Sequence, residues 1–215
     1  MSLKRKLLSD FKLYAITDLK GEDPEVIIKI QEALRGGVDV IQLRSKQMSD
    51  HSLIGLGKKI RQITKRMKKL FIVNDRIDLM LALNADGVHL GQDDFPIKTA
   101  RSIIKDKSKI IGCSTHSLKQ AGQAVQEGAD YIGFGPIFET PTKPTYNPVG
   151  LNLIKTVIRK VKIPVVCIGG INQSNAKFVI KAGANRLAVV RAIFSSDHPF
   201  HAARELKRMV SHVSN

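Results

Sequence analysis

The chain has 215 residues, with 35 Lys plus Arg against 19 Asp plus Glu and a formal net charge of +16. A hydrophobic content of 43% supports one domain with a sizeable core, and the longest apolar run, IPVVCIGGI, is far short of a membrane span and carries two glycines. Aromatic residues make up only 5%, with no Trp, and none interleaves with basic runs such as GKKIRQITKRMKK, so the charge offers no stacking platform for single-stranded nucleic acid and reads as solvated helix faces.

MSLKRKLLSD is basic and lacks the apolar core of a signal peptide, so residues 1–10 read as a basic N-terminal extension of a single domain spanning 1–215. The first strand is KLYAIT. DPEVIIKIQEALRGG then has helical spacing: Asp23 caps, Pro24 suits the first turn, Ile27, Ile30 and Leu34 share a face, and Gly36 or Gly37 ends it. VDVIQLR is the second strand and ends in QLRSK, with Arg44 and Lys46. LFIVN is the third, ending in Asn74, Asp75 and Arg76. DGVHLG is the fourth, followed by Gln92, Asp93 and Asp94. KIIGCS is the fifth, and the helix after it starts at Ser117, with Gln120 at capping-box spacing and Gly128 at its close. DYIGFG is the sixth strand and runs into GPIFETPTKPT. IPVVCIG is the seventh and RLAVV the eighth. Cys113 and Cys167 sit inside apolar strand runs and read as buried free thiols, which suits a cytoplasmic address.

GVD, NAD, GAD and GAN (37–39, 84–86, 128–130, 183–185) each close a helix and open an even-numbered strand. Each interval holds two strand–helix units. This pattern predicts an α/β fold, a single closed (β/α)8 TIM barrel; an open doubly wound sheet is the alternative, but GxGxxG is missing after the first strand.

In such a barrel the C-terminal ends of the strands meet at one face, where active sites form. Asp75 and one of Asp93 or Asp94 would end neighbouring strands, a hard-oxygen pair that suits Mg²⁺ with waters and substrate phosphates; equally, Asp75 and Asp94 could be helix N-caps. His89, alternating with Val88 and Leu90, reads as a hydrogen-bonded core histidine, because no second His or Cys stands at ligand spacing. Thr140, Thr142 and Lys143 offer two hydroxyls and an ammonium to one anion. Gly169 and Gly170, ahead of a helix expected near Asn172, offer backbone N–H groups to another. Two anion sites and a divalent cation point to two phosphorylated substrates, one a diphosphate.

Together, YAITD, IQLRSK, VNDRIDLMLALNADGVHLGQDD, IIGCSTHS, GADYIGFGPIFETPTK and PVVCIGGI closely resemble the thiamine-phosphate synthase family, in order from about Tyr14 to Phe194. The resemblance implies a Mg²⁺-dependent transferase of thiamine biosynthesis. Such an enzyme joins a pyrimidine diphosphate to a thiazole phosphate, with or without a carboxylate, and releases diphosphate. It also implies small-molecule partners, neither nucleic acid nor membrane, and leaves a homo-oligomer open. By position, Asp75 and Asp94 match the metal ligands, and Arg44, Lys46, Ser114 and Lys143 match catalytic positions. Gln42, Leu43, Arg44, Ser45, Lys46, Asn74, Ser114 and Lys143 match the pyrimidine-diphosphate side, while Thr140, Pro141, Thr142, Gly170, Val190 and Arg191 match the thiazole-phosphate side. Where the family commonly has Gly and Ser in and after the last strand, this chain has Arg186 and Arg191. The competing readings are a related thiazole tautomerase, which carries a general-base histidine where this chain has Pro136, and a basic nucleic-acid-binding barrel.

Overall fold

Strand runs such as LYAI and LFIV are apolar without alternation, as parallel strands covered on both faces require. The computed structural model describes residues 3–141 and 147–211. Among them are the strands β1 (Leu13–Ile16), β2 (Val40–Leu43), β3 (Leu70–Asn74), β4 (Gly87–Leu90), β5 (Ile110–Thr115), β6 (Tyr131–Phe134), β7 (Val165–Ile168) and β8 (Leu187–Val189). The helices are α1 (Leu3–Asp10), α2 (Val26–Arg35), α3 (Asp50–Arg66), α4 (Ile77–Ala82), α5 (Ile97–Ile103), α6 (Leu118–Gln126), α7 (Ile154–Lys160), α8 (Ala176–Lys181), α9 (Arg191–Phe194) and α10 (Pro199–Ser211).

Every strand pairs in parallel with the next, and β1 closes the ring on β8 through Tyr14 opposite Ala188. The predicted (β/α)8 barrel is therefore the observed fold. Alternation along each strand makes two cores. Leu13, Ala15, Ile41, Leu43, Phe71 and Val73 face the helices in one buried cluster. Tyr14, Ile16, Val40, Leu70, Ile72, Ile110 and Tyr131 fill the barrel interior in another. The basic N-terminal stretch forms α1, and its Leu8 joins the interior cluster with Phe11, closing the end of the barrel at which the strands begin.

The repeated Asp ahead of the even strands acts as a pin at that end. Asp39 accepts from the N–H groups of Lys12 and Leu13 (2.9 and 3.1 Å) and from Lys69 (2.9 Å) and Lys207. Asp86 accepts from Phe71 N–H and Arg61, and Asp130 from Ile111 N–H and Arg101. Each carboxylate thus ties the start of the preceding odd strand to a cation on a helix or flanking loop. Asn185 holds the fourth position, where it accepts from Arg186. Arg186 also donates to the Ser9 carbonyl at the end of α1 and lies over the Phe11 ring, so it belongs to the closed end of the barrel.

Two helix starts differ from the sequence expectation. Asp23 accepts from Glu25 N–H in a turn, and α2 begins only at Val26. The helix expected near Asn172 begins at Ala176, because Asn172, Ser174 and Asn175 spend their side chains on a closed turn. Ser117 caps α6 as expected.

Candidate active site at the C-terminal ends of the strands

A cavity of about 330 Å³ opens where the strands end. Ile16, Gly133, Ile168 and Ala188 contribute to its lining from the strands, and Gln42, Arg44, Asn74, His89 and Ser114 bring polar groups to it. Thr140, Gly170, Val190 and Arg191 also line it. Alternation explains which part of QLRSK reaches this space. Gln42 and Arg44 face inward, whereas the Leu43 side chain is buried against the helices. Ser45 serves its own loop, donating to the Leu19 carbonyl (2.7 Å) and accepting from Gln47 and Met48 N–H. Lys46 and Pro141 are exposed, and Thr142 and Lys143 lie outside the described residues.

Arg44 is nearly buried, and a cation there needs a partner. Asp18, the last residue of YAITD, pairs with its guanidinium. Thr17 fixes the backbone below, accepting from Arg44 N–H (2.8 Å) and donating to the Arg44 carbonyl (3.0 Å).

Asp75 and Asp94 follow adjacent strands and stand at the same end of the barrel. Neither caps a helix: the residues at the starts of α4 and α5 are Arg76 and Pro96, without side-chain cap bonds. Asp75 adopts φ 60, a left-handed conformation that costs free energy in a residue other than glycine. It is held by Asp75 N–H donating to the His89 carbonyl (2.8 Å) and by Arg76 N–H donating to the Asn74 carbonyl (2.6 Å). Asp94 accepts from Gly91 N–H (2.6 Å), which draws its carboxylate back over the end of β4, whereas Asp93 is exposed. No group of three or more His, Cys, Asp or Glu suited to a metal occurs among the described residues. Two carboxylates following adjacent strands are oxygen donors of the kind Mg²⁺ takes together with waters and substrate phosphate oxygens.

The wall after β6 is built on the end of β7. Ile137 and Phe138 N–H donate to the carbonyls of Ile168 and Gly169 (2.8 and 3.1 Å). Gly170 has φ 64, and a Cβ on it would meet the Glu139 carbonyl at 2.6 Å and the Phe138 Cβ at 2.8 Å. Only glycine therefore lets the two loops meet at the cavity. Because α8 starts later than expected, any anion at Gly170 would meet loop N–H groups and not a helix terminus.

Deeper in the barrel, side chains form a continuous hydrogen-bond chain. Gln42 Nε2 donates to Tyr14 Oη (2.7 Å), Tyr14 Oη meets Tyr131 Oη (2.9 Å), Tyr131 Oη meets His89 Nδ1 (3.0 Å), and His89 Nε2 meets Ser114 Oγ (2.9 Å). Gly112 makes room for it, since a Cβ there would lie 2.1 Å from the Tyr131 ring. His89 is hydrogen-bonded in the interior, as expected, but it also lines the cavity. Burial pushes the Cys113 thiol up to about 11 and that of Cys167 up to about 12, so both remain protonated, and both are free and buried as anticipated.

Sequence reasoning missed Asp18 and the two tyrosines. An acidic residue just past the first strand, level with a cation just past the second, was the available signal for Asp18. For the tyrosines, the inward phase shared by Tyr14, Gln42, His89 and Ser114 was the signal.

A cavity lined by Arg44, Asn74, Ser114 and Arg191 at the C-terminal ends of the strands stands where (β/α)8 barrel enzymes carry their active sites. The family profile described as Thiamine monophosphate synthase matches residues 13–193. The chain belongs to the thiamine monophosphate synthase family. It is 45% identical over 206 residues to the thiamine-phosphate synthase of Chloroflexus aurantiacus, covering 94% of each chain. It is 42% identical over 213 residues to that of Pyrococcus furiosus, covering 99% of each. The solved structure of a thiamine phosphate pyrophosphorylase from Pyrococcus furiosus superposes over 100% of both chains with a TM-score of 0.87 and 39% identity. A 3-hexulose-6-phosphate synthase structure, at TM-score 0.67 and 20% identity, shares the fold.

Proposed function

We propose that this chain is a thiamine-phosphate synthase, a transferase that joins a pyrimidine methyl diphosphate to a thiazole phosphate and releases diphosphate, together with CO₂ where the thiazole bears a carboxylate. The observation that carries the reading is the cavity lined by Gln42, Arg44, Asn74 and Ser114 at the end of the barrel where Asp75 and Asp94 follow their strands, within a chain of this family. In the reaction the bond from the exocyclic methylene carbon to the diphosphate oxygen breaks, its electron pair leaves with the oxygen, and the thiazole nitrogen lone pair forms the new C–N bond. The protein then has to position two substrates and hold the growing charge on the leaving group.

Arg44, kept in place by Asp18, supplies a fixed cation for the diphosphate, and Lys46 and Lys143 are the further cations assigned to it. Gln42, Asn74 and Ser114 orient the pyrimidine side. The loop segment from Thr140 to Thr142, with Gly170, Val190 and Arg191, is assigned to the thiazole phosphate. Asp75 and Asp94 would hold Mg²⁺, which would add positive charge against the departing diphosphate. An isomerase of the related type needs a proton-transfer group where Pro136 lines the cavity, and Pro136 supplies none. Arg44, Arg61, Lys69, Arg76, Arg101 and Lys207 are paired with carboxylates within the fold. Free buried thiols and the absence of a helix long and apolar enough to cross a membrane among the described residues support a cytoplasmic enzyme.

Incubation with the pyrimidine diphosphate, the thiazole phosphate and Mg²⁺ tests the reading. Thiamine phosphate is the expected product; consumption of the thiazole phosphate alone, without diphosphate release, would overturn it.

A further inference from the structure

The chain of hydrogen bonds through the barrel has a direction. Gln42 Nε2 carries no lone pair, so Tyr14 Oη accepts from it at 2.7 Å. Carried on from Gln42, that order sends the Tyr14 proton to Tyr131 Oη at 2.9 Å and the Tyr131 proton to His89 Nδ1 at 3.0 Å, two contacts whose distances alone do not fix the donor. A ring that accepts at Nδ1 carries its proton on Nε2 and donates it to Ser114 Oγ at 2.9 Å. Accepting there leaves the Ser114 hydroxyl its own proton to donate into the cavity. Both phenols are about 2% exposed, and burial raises their pKa values well above the ordinary range, so each keeps the proton this direction requires.

We propose that Tyr14, Tyr131 and His89 are positioning residues that aim the Ser114 proton into the cavity, so that the substrate atom seated on Ser114 is a hydrogen-bond acceptor, a ring nitrogen of the pyrimidine. The surroundings favour a flat ring over a phosphate. Gly133 stands opposite Ser114 in the strand register, and a Cβ on it would already touch His89 Cε1 at 3.4 Å. Ile168 closes the same wall, whereas the buried cation, Arg44, comes from the end of β2. A donor fixed through three buried side chains and the half-buried His89 discriminates against a ring with C–H at that position, because the Ser114 proton is then left without an acceptor. The identity of the ring rests on the proposed synthase activity; the direction of the chain does not.

The test therefore has a part that needs no substrate. Nitrogen-15 NMR of the histidine-labelled protein, with His89 assigned from a His89→Asn sample, is expected to show the Nε2–H tautomer, and an Nδ1–H tautomer overturns the proposal. In the second part, Tyr131→Phe is expected to raise KM for the pyrimidine diphosphate about tenfold. Inhibition by inorganic diphosphate and KM for the thiazole phosphate should stay within about twofold of the starting protein. An unchanged pyrimidine KM overturns the proposal, and so does a parallel loss of diphosphate inhibition, which would move the acceptor to the leaving group. Should Tyr131→Phe not fold, the tautomer of the unaltered protein decides; should no synthase activity be found, the tautomer still reports the direction of the chain.

Discussion

The two ends of the barrel use the same residue types for opposite purposes. Where the strands begin, Asp39, Asp86 and Asp130 each take a backbone N–H and at least one cation, and α1 with Phe11 seals the interior. Where the strands end, Asp75 sits on left-handed backbone, Asp94 is drawn back by one N–H, and the polar groups converge on a cavity. Charge completed inside the fold contributes stability. The left-handed backbone at Asp75 adjoins Asn74, which lines that cavity.

The largest effect should come from the open end. Asp75→Asn keeps a side chain tolerant of left-handed backbone and removes a carboxylate proposed to hold Mg²⁺, so kcat/KM for thiamine phosphate formation should fall about 10²–10³-fold. The thermal midpoint should barely move, and a higher Mg²⁺ requirement should accompany the loss. A drop in stability of the same order as the drop in rate would erase the distinction between the two ends.

Asp39→Asn should do the reverse, costing about 3 kcal/mol in denaturant unfolding while leaving kcat of the folded enzyme unchanged. The pH dependence sharpens this. Burial alone would raise the Asp39 pKa, but hydrogen bonds from Lys207 and Lys69 and from Lys12 N–H prevail and hold it below the ordinary value of 3.8. The unfolded chain therefore binds this proton more readily than the folded one. The contribution of Asp39 is complete above about pH 4 and fades as pH falls through the lower folded pKa. Unfolding curves in acid should show that slope in the starting protein and a shallower one in Asp39→Asn.

Asp18→Asn tests how far the open end depends on orientation. It keeps the size of the Arg44 partner and removes its charge, so kcat/KM should fall about tenfold, with a smaller change in stability. The smallest effect belongs to Arg186, whose guanidinium is half-buried at the closed end with its Nε unbonded. Arg186→Met should change stability by no more than about 1 kcal/mol and leave turnover alone. A loss of activity in that variant would place Arg186 in the site after all.

The barrel was legible because the strand runs are largely apolar and each even strand is preceded by the echo GVD, NAD, GAD or GAN, with Asn185 in place of the acid ahead of β8. That echo read as a bare turn signal, however, since its carboxylates act on strands distant in sequence. Counting strands placed Asp75 and one of Asp93 or Asp94 at neighbouring strand ends, the family resemblance chose Asp94, and Arg76 and Pro96 at the starts of α4 and α5 exclude the capping alternative that spacing alone had left open. Arg186 and Arg191 looked alike as departures from the family pattern. One went to the closed end and the other to the cavity, because they stand on either side of β8. The interior chain from Gln42 to Ser114 was hidden for a different reason. Its members come from five strands, and no local pattern announces a contact between Tyr14 and Tyr131.

The most direct test of the open end is diphosphate release measured alongside thiamine phosphate while Mg²⁺ is titrated in and then removed with a chelator. Equal amounts of both products, lost on chelation and restored by Mg²⁺, are predicted. Release that persists under chelator, or thiazole turnover with no diphosphate, would contradict the account.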